Sequence, residues 1–93
     1  MDLGTLIARL EKESVNKIVK HGFKHPHSYR GFYEDLAFEP AENVPIGELL
    51  SLAKSALGKT FYGWKGGEFI MDEHTTVWLA EEGSTSDDML GPL

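Results

Sequence analysis

The stretch Thr60-Phe61-Tyr62-Gly63-Trp64-Lys65-Gly66-Gly67-Glu68-Phe69 crowds four aromatics, three glycines and one cation into ten residues. Glycines between aromatics let a backbone turn sharply or approach a ligand closely, while the rings offer stacking faces and the ammonium a charge. Two readings fit. One is a β-hairpin whose aromatic strands flank a Gly66-Gly67 turn. The other is a surface that grips a nucleotide-like molecule without catalytic side chains.

A chain of 93 residues makes one small domain, near the lower end of what folds alone without metals or disulfides. It has no cysteine, which removes a disulfide framework and a thiolate metal site, and an intracellular setting is expected. The opening Met1-Asp2-Leu3-Gly4-Thr5-Leu6-Ile7 has no basic n-region and no long apolar run before Arg9 and Glu11. Neither a signal peptide nor a membrane span is expected. The net charge of −6 argues against binding long nucleic acid, because neutralising phosphates requires a basic surface. A local basic pocket for one small phosphorylated ligand is still allowed.

Leu3, Leu6, Ile7, Leu10, Ser14 and Ile18 recur at helical spacing and predict a first amphipathic helix over residues 2–20, capped by Asp2 and stopped at Gly22. Its apolar stripe needs a surface, either the sheet or a second subunit; a homo-oligomer using Leu3, Leu6, Ile7 and Leu10 is expected. Phe23-Lys24-His25-Pro26-His27 reads as a loop because of Pro26. Ser28 to Phe38 alternates as a strand with a possible break near Glu34-Asp35, and residues 39–43 read as a turn. A second helix is predicted over 45–57, with Pro45 in its first turn and Gly58 just past its end. Strands follow at 60–64, 68–71 and 75–80, with Asp72-Glu73-His74 as a turn. Residues 81–93 read as an acidic, frayed tail behind a single domain of residues 1–80. The predicted fold is α+β, an antiparallel sheet with two helices in the order α-β-α-β-β-β.

Little points to catalysis. No Gly-x-Ser-x-Gly elbow is present and cysteine is absent, so the commonest nucleophiles are missing. Glu11/Glu13, Glu34/Asp35, Glu81/Glu82 and Asp87/Asp88 are near neighbours that do not announce a paired acid and base. Gly63-x-x-Gly66-Gly67 lacks the Gly-Lys-Ser/Thr ending of a nucleotide-hydrolase loop. His21, His25 and His27 have metal-like spacing, but Gly22 and Pro26 break the helix that spacing requires, and no metal or cofactor is expected. His74 stands apart in its turn. What is left is a binding surface: Arg30, one of only two arginines, sits among aromatics in Ser28-Tyr29-Arg30-Gly31-Phe32-Tyr33. Its guanidinium can pair with a phosphate or stack on a base, or simply pair with Glu34 or Glu68 across a sheet. Both aromatic stretches on adjacent strands of one sheet would make a site.

The pattern Ser28-Tyr29-Arg30-Gly31-x-Tyr33-x-x-Leu36-Ala37-Phe38 is followed by Leu49-Leu50-x-x-Ala53-x-x-Ala56-Leu57-Gly58, and then by Gly63-Trp64-Lys65-Gly66-Gly67-Glu68-x-x-Met71-x-x-x-Thr75-x-Val77-Trp78. Over residues 28–80 the chain resembles small bacteriophage proteins, most of all the Thoeris anti-defence family of signal-sequestering sponges. The resemblance implies a non-enzymatic protein, acting in the cytoplasm of the infected bacterial host. It would trap a cyclic ADP-ribose isomer or a cyclic oligonucleotide in a pocket shaped by oligomerisation. It further implies Arg30 on a ligand phosphate, the Trp64 ring on a base and His74 as a polar turn contact. The full candidate ligand-binding set is Tyr29, Arg30, Phe61, Trp64, Lys65, Gly66, His74 and Thr75. The competing expectation is a small acidic phage inhibitor that binds a host defence protein directly, as an anti-CRISPR does by mimicking nucleic-acid charge.

Overall fold

Asp2 starts the first helix as its position implies, its Oδ1 accepting the Thr5 N–H at 2.8 Å. The computed structural model describes residues 1–29, 34–63, 66–81 and 84–86. Helix α1 covers only Leu3–Glu11, which corrects the expected 2–20 helix. Ser14 and Asn16 favour turns, and the β-branched Val15, Ile18 and Val19 favour a strand, so the helical spacing beyond Leu10 is coincidental. The chain turns and enters β1, Ile18–Ser28.

β1 contains both Gly22, expected as a helix stop, and the 23–27 segment, expected as a loop. It pairs antiparallel with β2, Leu36–Pro45, which likewise absorbs the expected turn at 39–43. Pro40 is tolerated there because β2 meets its other neighbour only over Leu36–Phe38. Beyond Phe38, β2 pairs on one side only among the described residues, and on its other side a missing N–H loses no ladder bond. Gly22 is needed for close packing: a Cβ on it would lie 3.1 Å from Val44 and 3.3 Å from Leu49.

Helix α2, Ile46–Ala56, begins after Pro45 and ends at Leu57, close to expectation. Gly58, with φ +79°, turns the chain out of it. β3, Thr60–Tyr62, and β4, Glu68–Ile70, form a separate two-stranded antiparallel sheet joined through Gly66 and Gly67, both at positive φ. After a turn at residues 72–75, β5, Val77–Glu81, runs parallel to β2, and β6, Ser84–Ser86, pairs antiparallel with β5. The main sheet has the order β1-β2-β5-β6. Three of the strand pairings are antiparallel, and the parallel one is bridged by α2 and the hairpin, the long crossover that such a pairing requires. The fold is α+β, as the sequence predicts, with one strand more than expected between the helices and another, β6, inside the segment 81–93 expected as a frayed tail.

One face of the sheet carries the core. Phe23, Leu36, Phe38 and Val77 join the α1 stripe of Leu3, Leu6, Ile7 and Leu10, together with Ile46, Leu49, Ala53 and Ala56 of α2. Phe23 and Phe38 stack with centroids 4.5 Å apart. The α1 stripe is therefore buried inside its own chain, and the expected subunit interface through those four residues is corrected. No helix among the described residues is long and apolar enough to cross a membrane.

Candidate binding site

Among the described residues, the expected site residues Tyr29, Phe61, Gly66, His74 and Thr75 do not converge. Ser28 closes β1 in the main sheet with Tyr29 just past it, whereas Thr60-Phe61-Tyr62 forms β3 in the hairpin sheet, so the described parts of the two aromatic stretches do not occupy adjacent strands of one sheet. The apolar run Val77-Trp78-Leu79 takes the place beside β2 instead. Arg30, Trp64 and Lys65 lie outside the described residues. Phe61 is buried in the core, with the Lys59 Nζ 5.4 Å from its ring centroid. Gly66 shapes the hairpin turn, its N–H donating to the Gly63 carbonyl at 3.0 Å. Thr75 is buried and locks its turn by accepting the Asp72 N–H on Oγ1 at 2.8 Å.

His74 is exposed, 3.5 Å from Glu73, on the rim of a shallow cavity of about 300 Å³ lined by Asp2, Gly4, Thr5, Ala8 and Glu73. A helix start attracts anions only while its N–H groups are free. Here Leu3 donates to the Thr75 carbonyl, Gly4 to the Glu73 carbonyl, and Thr5 to the Asp2 carboxylate. Hydrogen bonds from the Thr5 side chain and then its backbone hold the Asp2 carboxyl below the ordinary aspartate range, with smaller help from His74 and the N-terminal ammonium. Asp2 and Glu73 both present negative charge, so this cavity is a poor phosphate site.

The convergence lies on the sheet face away from the core. Lys24 pairs with Glu39 and His27 with Ala37, so three steps along β1 answer two along β2. This is a β-bulge, and His25 within it sits at φ +48°. Because faces alternate every residue, the extra residue puts Lys24, His27 and Tyr29 on one face and Ser28 on the core side. Ala37 is paired with both His27 and Trp78, and is buried yet outside the core cluster, which places that row on the outer face. The Trp78 Nε1–H donates to Asp35 Oδ2 at 3.0 Å, and the Tyr29 ring lies 5.7 Å from the Trp78 ring with a 35° tilt. The Tyr29 N–H donates to the Asp35 carbonyl at 2.8 Å and fixes the end of the row.

The outer face thus carries two half-buried rings, the Asp35 carboxylate, a small Ala37 floor and, along β1, an imidazole and an ammonium. Tyr29 was legible from sequence; His27, Asp35 and Trp78 gain a role only from the bulge and the β2–β5 pairing. Among the described residues no group of three or more histidines and carboxylates is arranged to hold a metal ion. Comparison of the chain with protein-family models, curated proteins and solved structures finds no match.

Proposed function

We propose that this chain is a non-catalytic phage anti-defence protein that sequesters a cyclic nucleotide signal in the cytoplasm of the infected bacterium. The observation that carries the reading is the Tyr29–Trp78 ring pair held by Asp35 on a solvent-facing sheet surface. Paired rings of this kind take a nucleobase by stacking, and a fixed carboxylate accepts hydrogen bonds from ribose hydroxyls or base amines. The sequence-level resemblance to signal-sequestering sponges and the lack of a recognisable nucleophile support the same function. The working form is a homo-oligomer whose contacts use a face other than the α1 stripe.

Titration calorimetry against cyclic ADP-ribose isomers and cyclic oligonucleotides tests the proposal. Trp78→Ala is expected to remove about 1–3 kcal/mol of binding through lost stacking, in a variant whose circular dichroism remains native. The wild-type protein should release its ligand chemically intact on heating. A linearised or hydrolysed product, or no binding across the panel, overturns the reading.

A further inference from the structure

The same outer face has a second end that the ring pair does not use. Lys24 and His27 occupy consecutive outward positions on β1, about 7 Å apart, and His27 is again about 7 Å from Tyr29. Both side chains are exposed. Lys24 faces Glu39 across the ladder, but no ion pair forms between them, and the ammonium has no partner among the described residues. His27 Nδ1 lies 3.0 Å from the Ser28 carbonyl. A carbonyl only accepts, so Nδ1 carries the hydrogen and Nε2 is left to face a ligand, as a donor when the ring is protonated. Between His27 and Trp78 stands only Ala37, wholly buried beneath its neighbours, so a ligand spanning the row lies on the side chains that flank it.

We infer that Lys24 and His27 are the phosphate-binding end of the site, so that its ligand is a phosphate-bearing nucleotide lying across β2, base on Tyr29 and Trp78 and phosphate on β1. This deepens the nucleotide reading and rests on it. Of the carboxylates on this face, Asp35 sits at the ring end, where it repels a phosphate and accepts hydroxyl donors, and Glu39 stands directly opposite Lys24 on β2 without forming an ion pair with it. The Lys24 ammonium binds the phosphate by a charge-assisted hydrogen bond, and the His27 ring adds a second from Nε2–H in its protonated form. The β1 bulge is the device that brings them into line, because without the extra residue at His25–Pro26 either Lys24 or the His27–Tyr29 pair would face the core.

Calorimetry on the full chain with cyclic di-AMP, cyclic ADP-ribose and the uncharged probe adenosine tests this, with Lys24→Met, His27→Gln, Trp78→Ala and Lys54→Met compared by thermal melts for folding. Lys24→Met and His27→Gln are each expected to weaken binding of whichever cyclic nucleotide the wild type takes up by tenfold or more, and to leave adenosine binding unchanged. Lys54→Met removes an α2 cation paired with Glu11 and should change neither. If a cyclic nucleotide binds and depends on Trp78 but not on Lys24 or His27, the phosphate assignment is wrong while the nucleotide reading stands. An equal loss in Lys54→Met also overturns the assignment, since the effect is then general charge. Absence of any nucleotide binding ends both.

Discussion

Asp2 shows how much one short side chain can settle. It caps α1, takes the Thr5 N–H, and with Glu73 gives the nearby cavity a negative rim. Because these bonds favour the ionised form, its folded pKa is lowered, and the folded protein binds fewer protons there than the unfolded chain. The stabilisation is present above the unfolded aspartate value and disappears as pH falls through the lower folded one. Asp2→Asn keeps a capping acceptor but cannot titrate. In urea titrations the stability difference between wild type and Asp2→Asn should therefore shrink as pH is taken from about 6 to about 2, across the aspartate range. A difference that stays constant with pH would mean that the charge contributes nothing. The same residue was readable in advance, since an Asp before an apolar periodic run is a strong local signal. Thr75 and Phe61 were not, because nothing in a threonine or a phenylalanine tells whether its surroundings will be a ligand or the protein's own turn and core.

At the level of elements, legibility tracks how local the determining interaction is. Helix α2 is written in its own residues, with Pro45 before it, Gly58 after it and a clean apolar spacing between. The end of α1 is less so, because Ser14 and Ile18 continue its period although Ile18 ends exposed in a strand. By sequence Pro26 and Pro40 are strand breakers, yet each sits in a strand at a place where the ladder is interrupted or, among the described residues, one-sided. The bulge that Pro26 helps to form sets the phase of the binding face, and it also turns Ser28 inward, where its Oγ is buried without a hydrogen-bond partner among the described residues. His25 bears the backbone cost at φ +48°. A left-handed conformation costs an L-residue about 1–2 kcal/mol, whereas glycine loses about 0.5–1 kcal/mol through its more flexible unfolded state. His25→Gly should accordingly raise stability by about 0.5–1 kcal/mol, and His25→Val, β-branched at positive φ, should lower it by at least about 1 kcal/mol. Urea denaturation of the two variants checks the opposed signs; two losses of similar size would show that the bulge does not constrain this residue.

For the whole molecule the decisive question was what covers the apolar stripe of α1, and the spacing of Leu3, Leu6, Ile7 and Leu10 cannot distinguish a neighbouring subunit from the chain's own core. The answer depends on α2 and on Phe38 and Val77 of the sheet, elements separated from α1 by tens of residues and brought to it by the β1–β2 pairing and the crossover between β2 and β5. Leu3, Leu6 and Leu10 are wholly buried within one chain. Truncating such a leucine costs about 2–5 kcal/mol, against a total stability of about 5–15 kcal/mol for a domain, and a domain this small belongs at the lower end of that range. Leu10→Ala should thus give a folded but much less stable protein, with a lower urea midpoint. The Leu6→Glu, Leu10→Glu double variant would bury two carboxylates without partners, a cost that exceeds what remains. It should lose its native circular dichroism outright at neutral pH. A double variant that keeps a native spectrum while light scattering reports a smaller mass than wild type would mean that the stripe faces another subunit after all.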